Sequence, residues 1–248
     1  MSFSRAWEAT APGPYGLGEV YDDVTYGKLP PLPERLFTGT FDWLTPKAAG
    51  TGSYYMAPNP VRVDGLDAFN RRLARHGLAL PAAFVVFMAS SRLQSSVPSC
   101  LACEWEISPR LVASPIEDHA FMVRFMNDQQ GCGYWYLYLG SDGSSPVVCS
   151  ASSYEPADGD EPLKMDPASF LADVQWTAPG FEHFVYRYWV ENVAWFELVS
   201  QKRDLLDLSP VVRRYVDHLR VPAAAPLDCW PTPFPGERGG DHGQGQLW

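Results

Sequence analysis

Residues 133–150 read Gly133-Tyr134-Trp135-Tyr136-Leu137-Tyr138-Leu139-Gly140-Ser141-Asp142-Gly143-Ser144-Ser145-Pro146-Val147-Val148-Cys149-Ser150. Two runs of β-forming residues, Gly133–Leu139 and Pro146–Ser150, flank Gly140-Ser141-Asp142-Gly143, whose glycines supply the positive φ angles that a tight hairpin needs. Within the first run, side chains alternate between two faces: Trp135, Leu137 and Leu139 on one, Tyr134, Tyr136 and Tyr138 on the other. The first face is core. The tyrosine face is either covered by another part of the chain or is a contact patch of the amphipathic kind enriched at interfaces.

The period of two continues upstream. His119, Phe121, Val123 and Phe125 alternate with Met122 and Arg124, and Cys103, Trp105 and Ile107 alternate with Glu104 and Glu106, giving two more half-buried strands. Asn127 to Gln130 turn the chain, their side chains bonding to backbone groups, with a binding role as their other use. Further upstream the period is 3.6: Asp64-Gly65, then Leu66, Phe69 and Leu73, then the stop His76-Gly77 describe a short amphipathic helix with an acidic start and a glycine end. Pro81 opens a second, largely buried helix with Phe84, Val85, Phe87 and Met88, and Pro98 closes the helical region. Downstream, Phe181, Phe184, Val185, Tyr188, Trp195, Phe196 and Val199 form a broad apolar stripe over about five turns, with Trp189 and Trp195 expected in the core. Leu208, Val212, Tyr215, Val216 and Leu219 mark a last short helix. Helices before and after an antiparallel block define an α+β fold with a central, mainly antiparallel sheet.

Residues 1–60 contain 7 Gly and 8 Pro but also ten aromatic residues, among them Trp7, Tyr26, Phe41 and Trp43. Such a segment wraps along the domain and docks its rings, with sparse regular structure, and it favours covering of the tyrosine face. The expected organisation is therefore an arm at 1–60, an α+β domain at 61–221 and a tail at 222–248. Residues 221–248 carry 5 Pro and 5 Gly with few aliphatic residues and lack a core of their own.

The 248 residues hold 19 Lys and Arg against 29 Asp and Glu, a net charge of −10. That sign argues against binding duplex nucleic acid, whose affinity comes from basic side chains replacing phosphate counterions. The uncharged apolar stretch around Pro81–Ala89 falls well short of the ~20 residues that cross a bilayer, and Met1–Pro14 has no signal pattern. A cytoplasmic protein with reduced thiols is the expectation, because Cys100, Cys103, Cys132, Cys149 and Cys229 do not form a secreted disulfide framework.

Chemistry is sparsely signalled. Cys100-x-x-Cys103 is half a zinc knuckle that Cys132 or Cys149 would have to complete, and small buried thiols are the preferred reading, with no metal and no cofactor. Asp118-His119, Asp217-His218 and Asp241-His242 place carboxylates beside imidazoles, yet no hydrolase elbow, phosphate-binding loop or zinc-protease pair accompanies them. An enzyme of hydrolase type would need a site assembled from dispersed residues such as Asp118, His119, Arg124 and His183. Glu155, Asp158, Asp160 and Glu161 form a carboxylate-rich loop without the ligand series of a calcium site. It is either a solvated turn or an acidic surface for a basic partner.

Four ordered blocks resemble the bacterial Smi/Knr-like branch of the SUKH superfamily: Leu80-Pro81-Ala82-Ala83-Phe84-Val85-Val86-Phe87-Met88, then Val97-Pro98-Ser99-Cys100, then Arg124 through Leu139, then Phe181-Glu182-His183-Phe184-Val185-Tyr186-Arg187-Tyr188-Trp189-Val190-Glu191-Asn192. The resemblance covers about 66–220. It implies an α+β fold without enzymatic activity and a role as an immunity protein that neutralises a toxin, many such toxins being nucleases. It brings no catalytic residues. The resulting expectation is a protein-binding module that covers a basic toxin domain, using Glu155, Asp158, Asp160, Glu161, Tyr134, Tyr136 and Tyr138, with no contact to nucleic acid or membrane.

Overall fold

The computed structural model describes residues 3–8, 23–45, 57–155 and 165–220. In chain order these form β1 (Ser4–Glu8) and β2 (Asp23–Thr25), then α1 (Val63–Ala74), α2 (Ala82–Met88) and α3 (Ser91–Ser96). Next come β3 (Cys103–Trp105), β4 (Val112–Ala113), β5 (Phe121–Asp128), β6 (Tyr134–Leu139) and β7 (Val147–Ser150). The last of the described elements are α4 (Pro167–Asp173), β8 (Gln175–Ala178), α5 (Phe181–Trp195) and α6 (Pro210–Arg220). The strands make one mixed, mostly antiparallel sheet in the order β2-β1-β8-β7-β6-β5-β3, with β4 also on β5. The α+β class expected from the two periods is the class observed.

Local chemistry sets the ends of these elements. Gly77, at φ 74°, closes α1: its N–H donates to Ala74 O and that of Leu78 to Leu73 O, the paired bonds of a glycine cap. The Ser90 hydroxyl accepts from Leu93 N–H at the start of α3, and Asp166 accepts from Ser169 N–H at the start of α4. The hairpin joins β6 to β7 in the register Leu137↔Val147 to Tyr134↔Ser150. Its two glycines act differently. Only Gly143 has a positive φ, 85°. At Gly140 the constraint is space, since a Cβ would stand 2.6 Å from Ser144 Oγ and 2.7 Å from Asp142 Oδ1.

Both faces of the sheet are buried, which corrects the expectation of half-buried strands. On one face Trp105, Val123, Phe125, Trp135 and Leu137 pack against α1, α2, α5 and α6. On the other, Met122, Tyr136, Tyr138 and Val148 are covered by Phe170 of α4, Val174, Ile116 and Phe3 of the arm. Strands buried on two sides lose strict polar alternation, so Met122 and the tyrosines are core residues too.

The arm does more than dock rings. β1 enters the sheet between β2 and β8, running parallel to β8 through Ser4↔Gln175 and Arg5↔Trp176. Trp7 Nε1–H donates to Glu191 Oε2 of α5 at 2.8 Å, and the other oxygen of Glu191 accepts from the Tyr215 hydroxyl of α6 at 2.7 Å. Arg187 donates to the Tyr215 oxygen at 2.9 Å and to Pro30 O at 3.1 Å, and its guanidinium lies over the Trp7, Tyr26 and Tyr215 rings. A buried charge is tolerated where it is paired and bonded, and this network ties arm, α5 and α6 together. Beyond Trp195, α5 widens into a π-helical turn, Phe196–Ser200. Trp189 is buried as expected, but Trp195, the last residue of α5 before that turn, is only half-buried, which corrects the expectation for it. The tail expected at 222–248 lies outside the described residues.

Candidate functional site

Arg124 is the only cation on the second face of β5, set beside Tyr136 by the strand register. Its Nε–H donates to Glu155 Oε2 at 3.1 Å and its Nη1–H to Glu106 Oε2 at 2.9 Å, with Asn127 Oδ1 as a further acceptor. Burial works against its charge, yet the hydrogen bond and field of Glu106 and the charge of Glu155 raise its pKa above the ordinary value. Two carboxylates thus neutralise this guanidinium, and it is not available to hold a phosphate or a substrate carboxylate. The same bond changes the role expected of Glu155. Its side chain is 15% exposed and tied to β5, an internal partner rather than a free carboxylate of a steering loop. Asp158, Asp160 and Glu161 lie outside the described residues.

The tyrosine row is mostly internal as well. Tyr136 and Tyr138 are buried, and only Tyr134 keeps partial exposure. Burial pushes the Tyr136 and Tyr138 hydroxyls up to about 12 each, so both remain neutral. The Tyr136 oxygen accepts from Tyr154 N–H at 3.0 Å, Tyr138 OH donates to Glu117 Oε2 at 2.9 Å, and Tyr154 OH donates to Asp173 Oδ2 at 2.5 Å. An exposed patch of three tyrosines is therefore corrected to a single half-exposed ring, Tyr134, beside Asn127 and Glu104 in the cross-strand register.

The dispersed enzyme residues do not assemble. Asp118 and His119 are exposed on the turn before β5, where His119 has φ 64°. Arg124 lies on the second face of the sheet. His183 lies on α5, across the sheet, where its Nε2 meets Glu34 Oε2 at 2.7 Å and its ring packs 4.4 Å from Phe37. Cys103 and Cys149 are buried, Cys100 is half-buried and Cys132 is exposed. Burial pushes the Cys100 thiol up to about 12, which disfavours the thiolate that metal binding requires. Among the described residues no group of three or more His, Cys, Asp or Glu is placed to hold a metal ion, and no helix is long and apolar enough to cross a membrane.

The most uneven property of the molecule is its charge. Residues 101–173 contain twelve of the 29 Asp and Glu but three of the 19 Lys and Arg, so they hold nine of the ten excess negative charges. In the structure this segment supplies β3 to β7 and α4. Glu106, Asp118, Asp142 and Asp166 are exposed around it, and Glu104 and Glu117 are half-exposed. These rim carboxylates were missed by motif reading. A charge count by segment finds them.

No family model matches the chain, and neither the curated proteins nor the solved structures contain a significant match to it.

Proposed function

We propose that this protein is a non-enzymatic binding module of the cytoplasm, an immunity protein that covers a basic toxin domain with its acidic side. The observation that carries the reading is the gathering of nine excess negative charges in residues 101–173, with Glu104, Asp118 and Asp142 accessible at the surface. An excess of negative charge of this kind speeds encounter with a basic partner and discourages acidic ones. The internal bonding of Arg124, Tyr136 and Tyr138 supports recognition by surface over catalysis, and so does the resemblance of about 66–220 to the SUKH superfamily.

The test is a binding assay of the full chain against the proteins encoded by neighbouring genes. Association rates for the basic partner follow, at two salt concentrations. Replacing Glu104 with Gln and Asp118 and Asp142 with Asn, and leaving Glu106 to pair with Arg124, should slow association at low salt, with the difference shrinking as salt screens the field over ~8 Å at physiological ionic strength. A rate that is unchanged at low salt, or a partner that is not basic, refutes the reading.

A further inference from the structure

One end of the molecule carries both signs of charge side by side. The last turn of α1 and the residues just after it hold Arg71, Arg72, Arg75 and His76, all exposed. Arg72 is committed to its own chain, its guanidinium lying over the Phe69 ring and donating to Pro109 O. Arg71 and Arg75 stand one helical turn apart, and among the described residues neither is in an ion pair.

The carboxylates lie beside them. The His76 ring packs on that of Phe121, the first residue of β5, with centroids 4.5 Å apart. This sets the helix end next to the turn that carries Asp118, which is closed by the bond from Ser114 N–H to Ala120 O at 2.9 Å. Glu117 of the same turn accepts Ser141 N–H at 2.7 Å, and so brings the hairpin tip with Asp142 to this end as well. Asp118 and Asp142 are exposed and, among the described residues, in no ion pair. The helix dipole favours cations at the end of α1, but it gives no reason for carboxylates to gather beside them.

We propose that two copies of this chain associate through this end as a two-fold dimer, Arg71 and Arg75 of each copy meeting Asp118 and Asp142 of the other. A surface with one positive and one negative half is complementary to itself under a two-fold rotation, so the same contact is made twice. The seam between the halves is the pair of rings, His76 exposed and Phe121 half-exposed, which supplies the less polar centre of the contact. Each chain has a net charge of −10, but at physiological ionic strength that repulsion is screened beyond ~8 Å while touching pairs still attract. Exposed pairs contribute little each, so the dimer is weak and reversible. No other protein enters it, and it stands or falls apart from the toxin reading.

The experiment is sedimentation equilibrium of the full chain at physiological salt. The average mass should rise from one chain toward two between ~10 μM and ~1 mM. Arg71→Glu, Arg75→Glu in one variant and Asp118→Lys, Asp142→Lys in another, each checked by circular dichroism, should weaken self-association at least ~10-fold. An equimolar mixture of the two should restore it as a one-to-one pair, because every contact again joins opposite signs while the total charge equals that of two unmodified chains. Where Asp142→Lys disturbs the hairpin, Asp118→Lys alone is mixed with Arg75→Glu alone. An unmodified chain that keeps a single mass to ~1 mM, growth beyond two chains, or folded variants that do not restore the pair on mixing overturns the proposal.

Discussion

Replacing Glu191 with Gln tests the network that fastens the arm to the helices. The carboxylate accepts from Trp7 Nε1–H at 2.8 Å and Tyr215 OH at 2.7 Å. An amide of the same shape offers one oxygen and turns its NH2 toward the other donor. One charge-assisted bond, worth about 1.5 to 3 kcal/mol, is lost. Arg187, 2% exposed, also loses its nearby negative charge. Uncompensated buried charge brings the total to about 3 to 5 kcal/mol, a large share of the 5 to 15 kcal/mol typical of a folded domain. With a urea slope near ~3 kcal/mol/M, the unfolding midpoint should fall by about 1 to 1.7 M. Trp7→Phe removes one donor of the same network, so the double variant should show a coupling of at least ~1 kcal/mol between the two changes. A midpoint within ~0.3 M of the unmodified protein at unchanged slope would refute the view that this carboxylate holds the arm in place.

The hairpin glycines should separate strain from crowding. Gly143→Ala meets nothing within 4 Å, so it should cost about 1 kcal/mol from its positive φ alone, whereas Gly140→Ala forces Ser144 and Asp142 aside and should also loosen the β6–β7 register; thermal unfolding and amide shifts distinguish the two. Glu117 carries a pH signature. Partial burial raises its pKa, but the Ser141 hydroxyl and N–H and the Tyr138 hydroxyl outweigh this and hold it below the ordinary carboxylate value. Its contribution to stability is therefore full above the ordinary carboxylate pKa and lost as the pH falls through the lowered one. A carboxyl NMR titration should show this depression, and Ser141→Ala should move the midpoint upward.

The elements legible in the sequence were those whose pattern is local. Gly77 after a 3.6 period marks α1, and two β-forming runs around residues 140–143 mark the hairpin, because a cap or a turn is decided by a few neighbouring residues. What escaped depends on distant ones. Nothing in Ser4–Glu8 announces a strand, since its partners are β2 and the remote β8. Covering of the tyrosine face was favoured by the ring-rich arm, which supplies Phe3, but that Phe170 and Val174 do most of the covering of Tyr136 and Tyr138 requires the fold. Trp195 continues the apolar stripe of α5 but sits at its last turn, and how far the neighbouring elements cover a helix end is not encoded in apolar period alone. At the candidate site, the individual carboxylates were visible. The pairing of Glu155 with Arg124 spans 31 residues and requires the fold.

The parallel pairing of β1 with β8 also has a timetable. Trp7 finds Glu191 only after 184 further residues exist, which at cellular synthesis rates of 5 to 20 residues per second is a delay of about 10 to 40 s. Through that interval Trp7, Phe37 and Trp43 travel without the rings of α5 that cover them in the fold. The first strand of the sheet to be synthesised is thus among the last that can be placed. The nascent arm is where a chaperone has the longest opportunity to act, and where shortened or stalled chains would expose their most adhesive residues.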